Sequence, residues 1–363
     1  MERADRISNL PDSILCHILS FISTKQAAIT SVLSKRWRPL WLSVLALNFN
    51  CNDFKTFVCF VCVINSTMKQ RDIKLPIHSF CLRCPKYSSF DQKDVNQFVN
   101  FELQHGIQDF YLHLPETCNI QTKLPHNILS CRTLEVVKLK SIMMVDISHL
   151  TDMDLPCLKT LHLSRVHFGC HEHVMKLLSG CSILEDLKTK CLHAPKGSER
   201  HPLEENFRSL PNLIKARISD LNILISMVST CITQLPMFQN LTYLELNFKD
   251  QDWFLRGLWL IEVLKHSPKL QNLKIQECEH RQGSRYKTIW MDPPSVPECL
   301  SRQIKTCCIR GYRGTKYEFE FAKYIMQHSN VLETMTIKST CLEKYQMSLK
   351  LSSCSRGSTR CKL

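Results

Sequence analysis

Four cysteines near the amino terminus have the spacing of a zinc site. Cys59 and Cys62 are separated by two residues, as are Cys81 and Cys84, and eighteen residues lie between the two pairs. Thiolates at this spacing can hold Zn²⁺ tetrahedrally. The neighbouring residues argue against such a site, because residues 57–63 form an apolar, helix-like run in which a free cysteine behaves as a small hydrophobe. Positions three apart on the strand predicted near residue 81 also face opposite sides, so we predict no zinc here.

Other groups that could do chemistry are equally incomplete. Cys170, His171 and His173 cluster at the start of a predicted helix without a fourth ligand, so solvated or partly packed side chains are the favoured interpretation. Only 9 glycines occur and neither nucleotide-binding glycine motif is present, which argues against a nucleotide-binding enzyme. No G-x-S-x-G sequence or local cysteine signature indicates a nucleophile. We predict no catalytic residue, no metal and no cofactor.

The loop Gly311-Tyr312-Arg313-Gly314 has the G-x-x-G spacing of an RNA-binding KH loop. A loop of that kind must join two helices. Here the flanking segments CCIR and YEFEF have the alternation of strands, so we predict a hairpin turn instead.

An apolar-x-x-apolar-x-apolar pattern recurs along the middle of the chain. Its starts from Ile77 to Leu270 are 30, 27, 24, 26, 29, 28 and 29 residues apart, a period typical of leucine-rich repeats. Each repeat is expected to form one short strand of a parallel sheet, with helices such as residues 94–103 and 173–180 on its outer face. Thr189 and Ala216 depart from the consensus, so the repeats are irregular.

Basic residues recur between and just after the buried positions of these strands, where side chains point to the concave face of the sheet. Lysine and arginine attract phosphate, and arginine can bind it in a bidentate manner. We hypothesise that this stripe holds an acidic or phosphorylated target, or a polyanionic small molecule. The alternative is a solvated polar face, since Asp186 interrupts the stripe and the net charge is +14. The candidate residues are Lys138, Lys140, Lys188, Lys190, Lys215 and Arg217, with His162 nearby.

The first fifty residues predict three short helices. Apolar residues in NLPDSILCHILSFI form a helical stripe, and Ser23 and Gln26 have capping-box spacing for a second helix. Ser34 can cap a third helix that holds Trp37 and that Pro39 interrupts. Helices this short bury too little surface to be stable alone, so we expect them to pack against a partner.

Residues 5–41 resemble an F-box of the variety common in plants. The resemblance rests on the Leu10-Pro11-Asp12 opening, the apolar stripe and the closing LSKRW with Trp41. It implies docking onto a Skp-type adaptor, which bridges to a cullin ubiquitin ligase. Lys35, Arg36 and Arg38 then become solvated flanks or a rim of that contact. By resemblance, the adaptor interface or the core behind it comprises Leu10, Pro11, Ile14, Leu15, Ile18, Leu19, Leu33 and Trp37.

The carboxyl-terminal part resembles the FBD domain that often follows plant F-box and leucine-rich-repeat segments. The supporting residues include Pro293-Pro294, Ile309-Arg310-Gly311-Tyr312 and Glu320-Phe321-Ala322. We therefore predict an α/β chain with an F-box over residues 1–46, leucine-rich repeats over 47–290, and an FBD α+β segment with its tail over 291–363. The F-box is expected to pack on the first repeat through residues 42–76, and residues 341–363 to form an edge strand or a frayed tail.

The composition favours a protein of the cytoplasm or nucleus. The chain has 363 residues and 20 cysteines, without a signal peptide or an apolar run long enough to span a bilayer. The resemblance implies that it recruits a target protein to a Skp/cullin/F-box ubiquitin ligase. The alternatives are a basic nucleic-acid-binding repeat protein and a ligand-sensing F-box receptor. The basic residues are spread along the chain without an RNA-binding motif, which disfavours nucleic acid.

Overall fold

The computed structural model describes residues 7, 9–85, 92–115, 122–144, 153–194, 210–219, 236–248, 253–277, 290, 292–339 and 349–363. The chain divides into two compact units, residues 1–169 and 170–363. Each unit has a parallel β-sheet lined by helices, which confirms the predicted α/β class.

The first unit begins with three short helices: α1 (Asp12–Leu19), α2 (Thr24–Ile29) and α3 (Trp37–Leu40). The predicted capping box is present, because the Ser23 hydroxyl accepts from the Gln26 amide and the Gln26 side chain accepts from the Ser23 amide. Leu15, Leu19 and Trp37 are buried between the helices. This small core leaves the other side of α1 open to solvent.

The sheet of the first unit follows the helices. It contains β1 (Ala46–Asn50), β2 (Ser79–Arg83), β3 (Asp109–His113), β4 (Lys123–Leu124), β5 (Val136–Met144) and β6 (Thr160–His167). The order is β1-β2-β3-β5-β6, with β4 beside the end of β5, and all these pairs are parallel. Two helices, α4 (Phe57–Gln70) and α5 (Gln92–Leu103), connect the first strands. The buried positions of the strands match the predicted repeat positions, as in Phe80 and Leu82.

The α1–α3 helices are joined to this sheet by hydrogen bonds. The Asn48 amide on β1 donates to the Thr24 hydroxyl at 2.8 Å. The guanidinium of the buried Arg71 donates to the carbonyls of Leu42 at 2.7 Å and Pro76 at 2.8 Å. Residues 42–76 therefore connect the helices to the first strands through buried polar contacts.

The second unit contains the remaining strands: β7 (Asp186–Lys190), β8 (Lys215–Ser219), β9 (Tyr243–Phe248), β10 (Asn272–Glu277), β11 (Thr306–Tyr312) and β12 (Thr334–Ser339). Neighbours in this order pair in parallel. The helices are α6 (His171–Ser179), α7 (Trp253–Lys265), α8 (Glu298–Arg302) and α9 (Lys316–His328). Beyond β12, Lys362 forms a parallel bridge with Thr334, so the described end of the chain lies along the last strand.

The segment after Gly314 corrects one prediction. YEFEF lies in α9, not in a strand, so the G-x-x-G loop joins a strand to a helix and is not a hairpin turn. The reason is a capping box in which Thr315 and Glu318 bind each other's backbone amides. Once the helix begins, Tyr317, Phe321 and Tyr324 share its buried face.

Four left-handed residues lie within or directly after strands, and the sequence did not indicate them. Ser141 and Arg165 have φ values of 59° and 53°, and they lie on adjacent strands at matching positions. In the second unit Cys191 follows β7 with φ 51°, and Gly311 lies in β11 with φ 78°. Of these four, only Gly311 is a glycine, the residue that adopts this conformation without steric cost. The pairing register shifts at Gly311, as expected for a β-bulge.

Candidate protein-interaction surfaces

Six large apolar side chains are exposed on the amino-terminal helices, by 45% to 80% of their surface. We call this set the amino-terminal apolar face. Large exposed apolar side chains concentrated in one short segment mark an interaction site more often than apolar residues scattered singly over a surface do. The six residues are Ile14, Ile18, Phe21, Ile29, Val32 and Leu33.

The predicted adaptor-binding residues separate into two groups by burial. Pro11, Ile14, Ile18 and Leu33 are exposed and Leu10 is half-buried, whereas Leu15, Leu19 and Trp37 are buried. Ile14 and Ile18 are one helical turn apart, as are Leu15 and Leu19, so α1 presents two different apolar edges. One edge builds the core of the three helices and the other is available to a partner.

Three members of the amino-terminal apolar face were missed from the sequence: Phe21, Ile29 and Val32. Phe21 follows Ile14 and Ile18 at positions i+7 and i+3, so helical spacing extended past the end of α1 is a signal that could have found it. Helical spacing does not predict which way Val32 faces. It is exposed because residues Thr30–Val32 form a 3₁₀ turn, which has a different angular period from an α-helix.

Arg36, which the sequence suggested is a solvated residue beside the adaptor contact or at its rim, forms hydrogen bonds within the F-box helices. Its guanidinium donates to the Asp12 carboxylate at 2.6 and 2.8 Å and to the Leu10 carbonyl at 2.5 Å. These bonds hold the Leu10-Pro11-Asp12 opening against the start of α3. The ion pair is largely exposed, so its value lies in positioning and its contribution to stability is about 0–1 kcal/mol.

In the second unit, half of the predicted basic residues have partners on the same sheet face. The Arg217 guanidinium lies 3.8 Å from the Asp186 carboxylate, and the Lys215 ammonium lies 5.2 Å from the centre of the Tyr243 ring. Lys188 and Lys190 are exposed. Asp186 thus neutralises part of the predicted stripe instead of merely interrupting it.

A second acidic residue, Glu245, lies on the same face and binds two neighbours. Lys274 and Tyr243 each donate to its carboxylate at 2.7 Å. Burial raises the pKa of Glu245, but the bonds from Lys274 and Tyr243 outweigh burial, and the net direction is downward. Burial, with the bond to Glu245, raises the pKa of Tyr243 to about 12. Glu245 is therefore held ionised by Lys274 and Tyr243, whose polar groups are bound to it.

In the first unit, the predicted residues Lys138 and Lys140 lie on β5. Lys138 is opposite Tyr111 on β3 and His162 on β6, and Lys140 is opposite His113 on β3. Both lysines are half-buried. The structure thus distributes the six predicted target-binding residues over two units, two on the first sheet and four on the second.

A buried carboxyl group in the second unit has a shifted pKa. Glu318 accepts hydrogen bonds from the amides of Arg313 at 3.2 Å and Thr315 at 2.8 Å, and from the Thr315 hydroxyl at 3.0 Å. Burial, and to a smaller degree the nearby Glu277 carboxylate, raises its pKa to about 7 in spite of the bonds from Thr315. Glu318 is the residue that caps α9, so it serves the fold.

The cysteines with zinc-site spacing differ in their burial. Cys59 and Cys62 are exposed on α4, which corrects their interpretation as packed hydrophobes, and Cys84 is buried while Cys81 is half-buried. Among the described residues, no group of three or more His, Cys, Asp or Glu side chains is arranged to hold a metal ion. No helix in the described ranges is long and apolar enough to cross a membrane.

Family profiles match three regions of the chain. The F-box domain profile matches residues 7–46, a profile for the LRR repeats of FBD-associated F-box protein At5g56370 matches 95–196, and the FBD profile matches 292–337. The Arabidopsis thaliana FBD-associated F-box protein At5g56370 is 30% identical, with 99% of each chain covered. The chain belongs to the F-box/FBD/LRR-repeat family. The A. thaliana F-box/FBD/LRR-repeat proteins At5g56420 and At4g00160 are 28% and 30% identical, covering 99% and 92% of this chain and 98% and 86% of theirs.

The surfaces described above can be placed within the matched regions. The amino-terminal apolar face lies within the F-box, and α8, β11 and α9 lie within the FBD match. Lys138, Lys140, Lys188 and Lys190 lie within the matched LRR region, whereas Lys215 and Arg217 lie between it and the FBD. The F-box and FBD resemblances seen in the sequence are thereby confirmed; the exact domain limits of 1–46, 47–290 and 291–363 stay predictions.

Proposed function

We propose that this F-box protein is a substrate-recruiting subunit of a Skp/cullin/F-box ubiquitin ligase. The observation that carries the proposal is the amino-terminal apolar face, six apolar side chains left open by helices that already have a core of their own. Burying such a face against a complementary partner would release hydrophobic free energy. A Skp-type adaptor is the partner that the F-box family implies, and a cullin would be reached through it.

The leucine-rich repeats and FBD would bind a target protein on the open face of their sheets. The chain itself would perform no bond chemistry; holding the target near a ubiquitin-charged enzyme raises the effective concentration of the reacting groups. Lys138, Lys140, Lys188, Lys190, Lys215 and Arg217 remain our candidates for target contact. We place the work of this protein in the cytoplasm or nucleus, where ubiquitin ligases of this type act.

Co-purification with a Skp-type adaptor tests the first half of the proposal. The variant Val32→Asp/Leu33→Asp places charges on residues that are 80% and 65% exposed, so folding should be retained while docking is lost. The matched control is Val58→Asp/Ile73→Asp, because both residues are 70% exposed outside the F-box match. We expect the adaptor with wild type and control only. Equal recovery with all three proteins would refute adaptor docking through this face.

Target capture tests the second half. Cells with the cullin step blocked should accumulate the target on the wild-type protein, where affinity capture can recover it. Charge reversal at Lys188, Lys190, Lys215 and Arg217 should reduce that recovery, since acidic targets would lose their attraction to the sheet. Unchanged recovery would mean that these four residues do not contact the target.

A further inference from the structure

Two exposed cysteines lie together on one helix. In the described part of the chain, the exposed cysteines are Cys59, Cys62 and Cys157. Cys59 and Cys62 are one helical turn apart in the first half of α4, whereas Cys157 lies in the loop before β6. We call Cys59 and Cys62 the helical dithiol. Neither of them fills the core, because other residues make the buried face of this helix. The buried side chains of α4 are Phe60, Ile64, Thr67 and Met68.

A second cysteine pair with the same spacing shows why the helix matters. Cys81 lies on β2 and Cys84 directly follows it, and the Cys84 amide donates to the His113 carbonyl on β3, so the backbone stays extended. Residues three apart on a strand are separated by about 10 Å, whereas the Cα atoms of a disulfide lie at most about 7 Å apart. On an α-helix, residues three apart have Cα atoms about 5 Å from each other. Of the two pairs, only the helical dithiol is within the range of a disulfide.

The first turn of α4 has to tighten before the two sulfur atoms can bond. Side chains three apart on an α-helix have Cβ atoms about 5–6 Å apart, and a disulfide needs about 3.5–4.5 Å. A 3₁₀ turn, which is frequent at helix ends, brings residues three apart into line. Phe60 is buried with its ring centre 5.3 Å from that of Phe54, so it stays in place. Val58 and Cys59 are exposed and can move, against the restraint of the hydrogen bond that the Cys59 amide donates to the Thr56 hydroxyl at 3.2 Å.

The helical dithiol also has the structural setting of redox-active cysteine pairs. The helix α4 connects β1 to β2, and these strands are parallel neighbours, so the three elements form one βαβ unit. In a cytosolic protein, the location proposed above, a C-x-x-C sequence next to such a unit is typical of a pair that cycles between dithiol and disulfide. Reaction with a dissolved oxidant further requires access to solvent, which both residues have.

We propose that the helical dithiol is a redox site, which a hydroperoxide converts to a Cys59–Cys62 disulfide. This inference goes beyond the proposed adaptor function and does not depend on it. One thiolate attacks a peroxide oxygen, the O–O bond breaks, and a sulfenic acid forms while the alcohol leaves, or water where the oxidant is hydrogen peroxide. The other thiolate then attacks the sulfenic sulfur, the S–O bond breaks and water leaves.

The electrons and protons of this reaction balance. The two thiols together give up two electrons and two protons, and the hydroperoxide takes them up to become alcohol and water. A disulfide that forms only when a helix turn tightens is more easily reduced than one that needs no rearrangement. A cellular dithiol or glutathione can therefore restore the two thiols by thiol–disulfide exchange, which makes the site reversible.

The test uses the purified full chain, first reduced and then exposed to hydrogen peroxide with or without dimedone, a reagent that traps sulfenic acids. Trypsin cleaves after Lys55 and Lys69, so one peptide, residues 56–69, carries both thiols of the helical dithiol and can be weighed by mass spectrometry. The site variants are Cys59→Ser and Cys62→Ser, each of which leaves one thiol. The matched control is Cys157→Ser, which removes an exposed thiol elsewhere in the same unit. All three changes are at exposed positions, and circular dichroism checks that the fold is retained.

In wild type and control, peroxide should make the peptide of residues 56–69 two hydrogens lighter, and dithiothreitol should reverse this change. Dimedone should label the peptide weakly, because the second thiol consumes the sulfenic acid. In each site variant the sulfenic acid has no neighbouring thiol to react with. Dimedone labelling of the peptide should therefore rise about tenfold or more, given the high effective concentration of a thiol held on the same helix turn.

Three results would overturn the proposal. The first is equal dimedone labelling of this peptide in wild type and in the site variants. The second is oxidation of Cys157 by a peroxide dose that leaves both thiols of the helical dithiol intact, or a disulfide that joins either of them to another cysteine. The third is a Cys81–Cys84 disulfide that forms as readily as the Cys59–Cys62 disulfide, since the helix would then play no part.

Discussion

Gly311→Ala should destabilise the FBD region far more than its single added methyl group suggests. Gly311 has φ 78°, and a Cβ built on it would lie 2.5 Å from the carbonyl oxygen of Glu277 and 3.0 Å from the Glu277 Cβ. Left-handed backbone costs a residue with a Cβ about 1–2 kcal/mol. The contact with a backbone carbonyl adds to this cost, because β10 would have to move away from β11. We therefore expect a total above about 3 kcal/mol.

A second glycine separates the two contributions. Gly106 has φ 73°, yet a Cβ there meets nothing within 4 Å, so Gly106→Ala should cost only the conformational part of about 1–2 kcal/mol. Hydrogen exchange read by mass spectrometry on peptides covering β11 for one variant and β3 for the other gives a local free energy of opening for each. If Gly311→Ala costs no more than Gly106→Ala, the close approach to Glu277 does not restrain the strand and the reasoning is refuted.

Three further outcomes follow from the buried groups. Leu15→Ala should destabilise the F-box helices by about 2–5 kcal/mol, whereas Ile14→Ala should leave their hydrogen exchange unchanged and weaken only adaptor co-purification. Arg71→Ala should cost about 1–3 kcal/mol in denaturant unfolding for each carbonyl left unpaired, because the guanidinium bonds to Leu42 and Pro76 are lost. The raised pKa of Glu318 means that its contribution to stability is present below its unfolded pKa and lost as pH rises to about 7. Glu318→Gln should therefore reduce the fall in thermal midpoint between pH 5 and pH 8 that wild type shows, and an unchanged fall would contradict this role.

The sequence was most informative where a feature repeats. The period of the apolar pattern predicted a strand per repeat, and the structure buries the predicted positions, as at Leu161 and Leu163 or Leu273 and Ile275. Alternation along a strand and spacing along a helix are local properties, so they can be read without knowing the fold. The first of the short amino-terminal helices was predicted for the same reason, from a stripe with helical spacing, whereas the F-box itself was recognised by resemblance.

The sequence was least informative where distant residues meet. Arg83, His113 and Lys140 are each about thirty residues from the next, and only the register of three strands brings them together. The assignment of Leu15 to the core and Ile14 to the surface depends on where α3 packs, which helical spacing alone does not determine. The left-handed residues at Ser141 and Arg165 were invisible because neither is a glycine or an asparagine. The helix after Gly314 was misread because alternating aromatic residues resemble a strand, and the Thr315–Glu318 capping box decided the outcome.

Because Lys362 pairs with the last strand, the folding unit at this end of the sheet includes residues beyond the FBD match. The Met335 amide donates to the Lys362 carbonyl at 2.7 Å, and the Lys362 amide donates to the Glu333 carbonyl at 3.0 Å. The FBD match stops at residue 337, so a fragment cut at that family boundary would lose this cover. It would expose unpaired backbone groups of β12, and such edges template pairing with other chains. The residues beyond the FBD match thus cover part of the edge strand β12 and oppose its pairing with other chains.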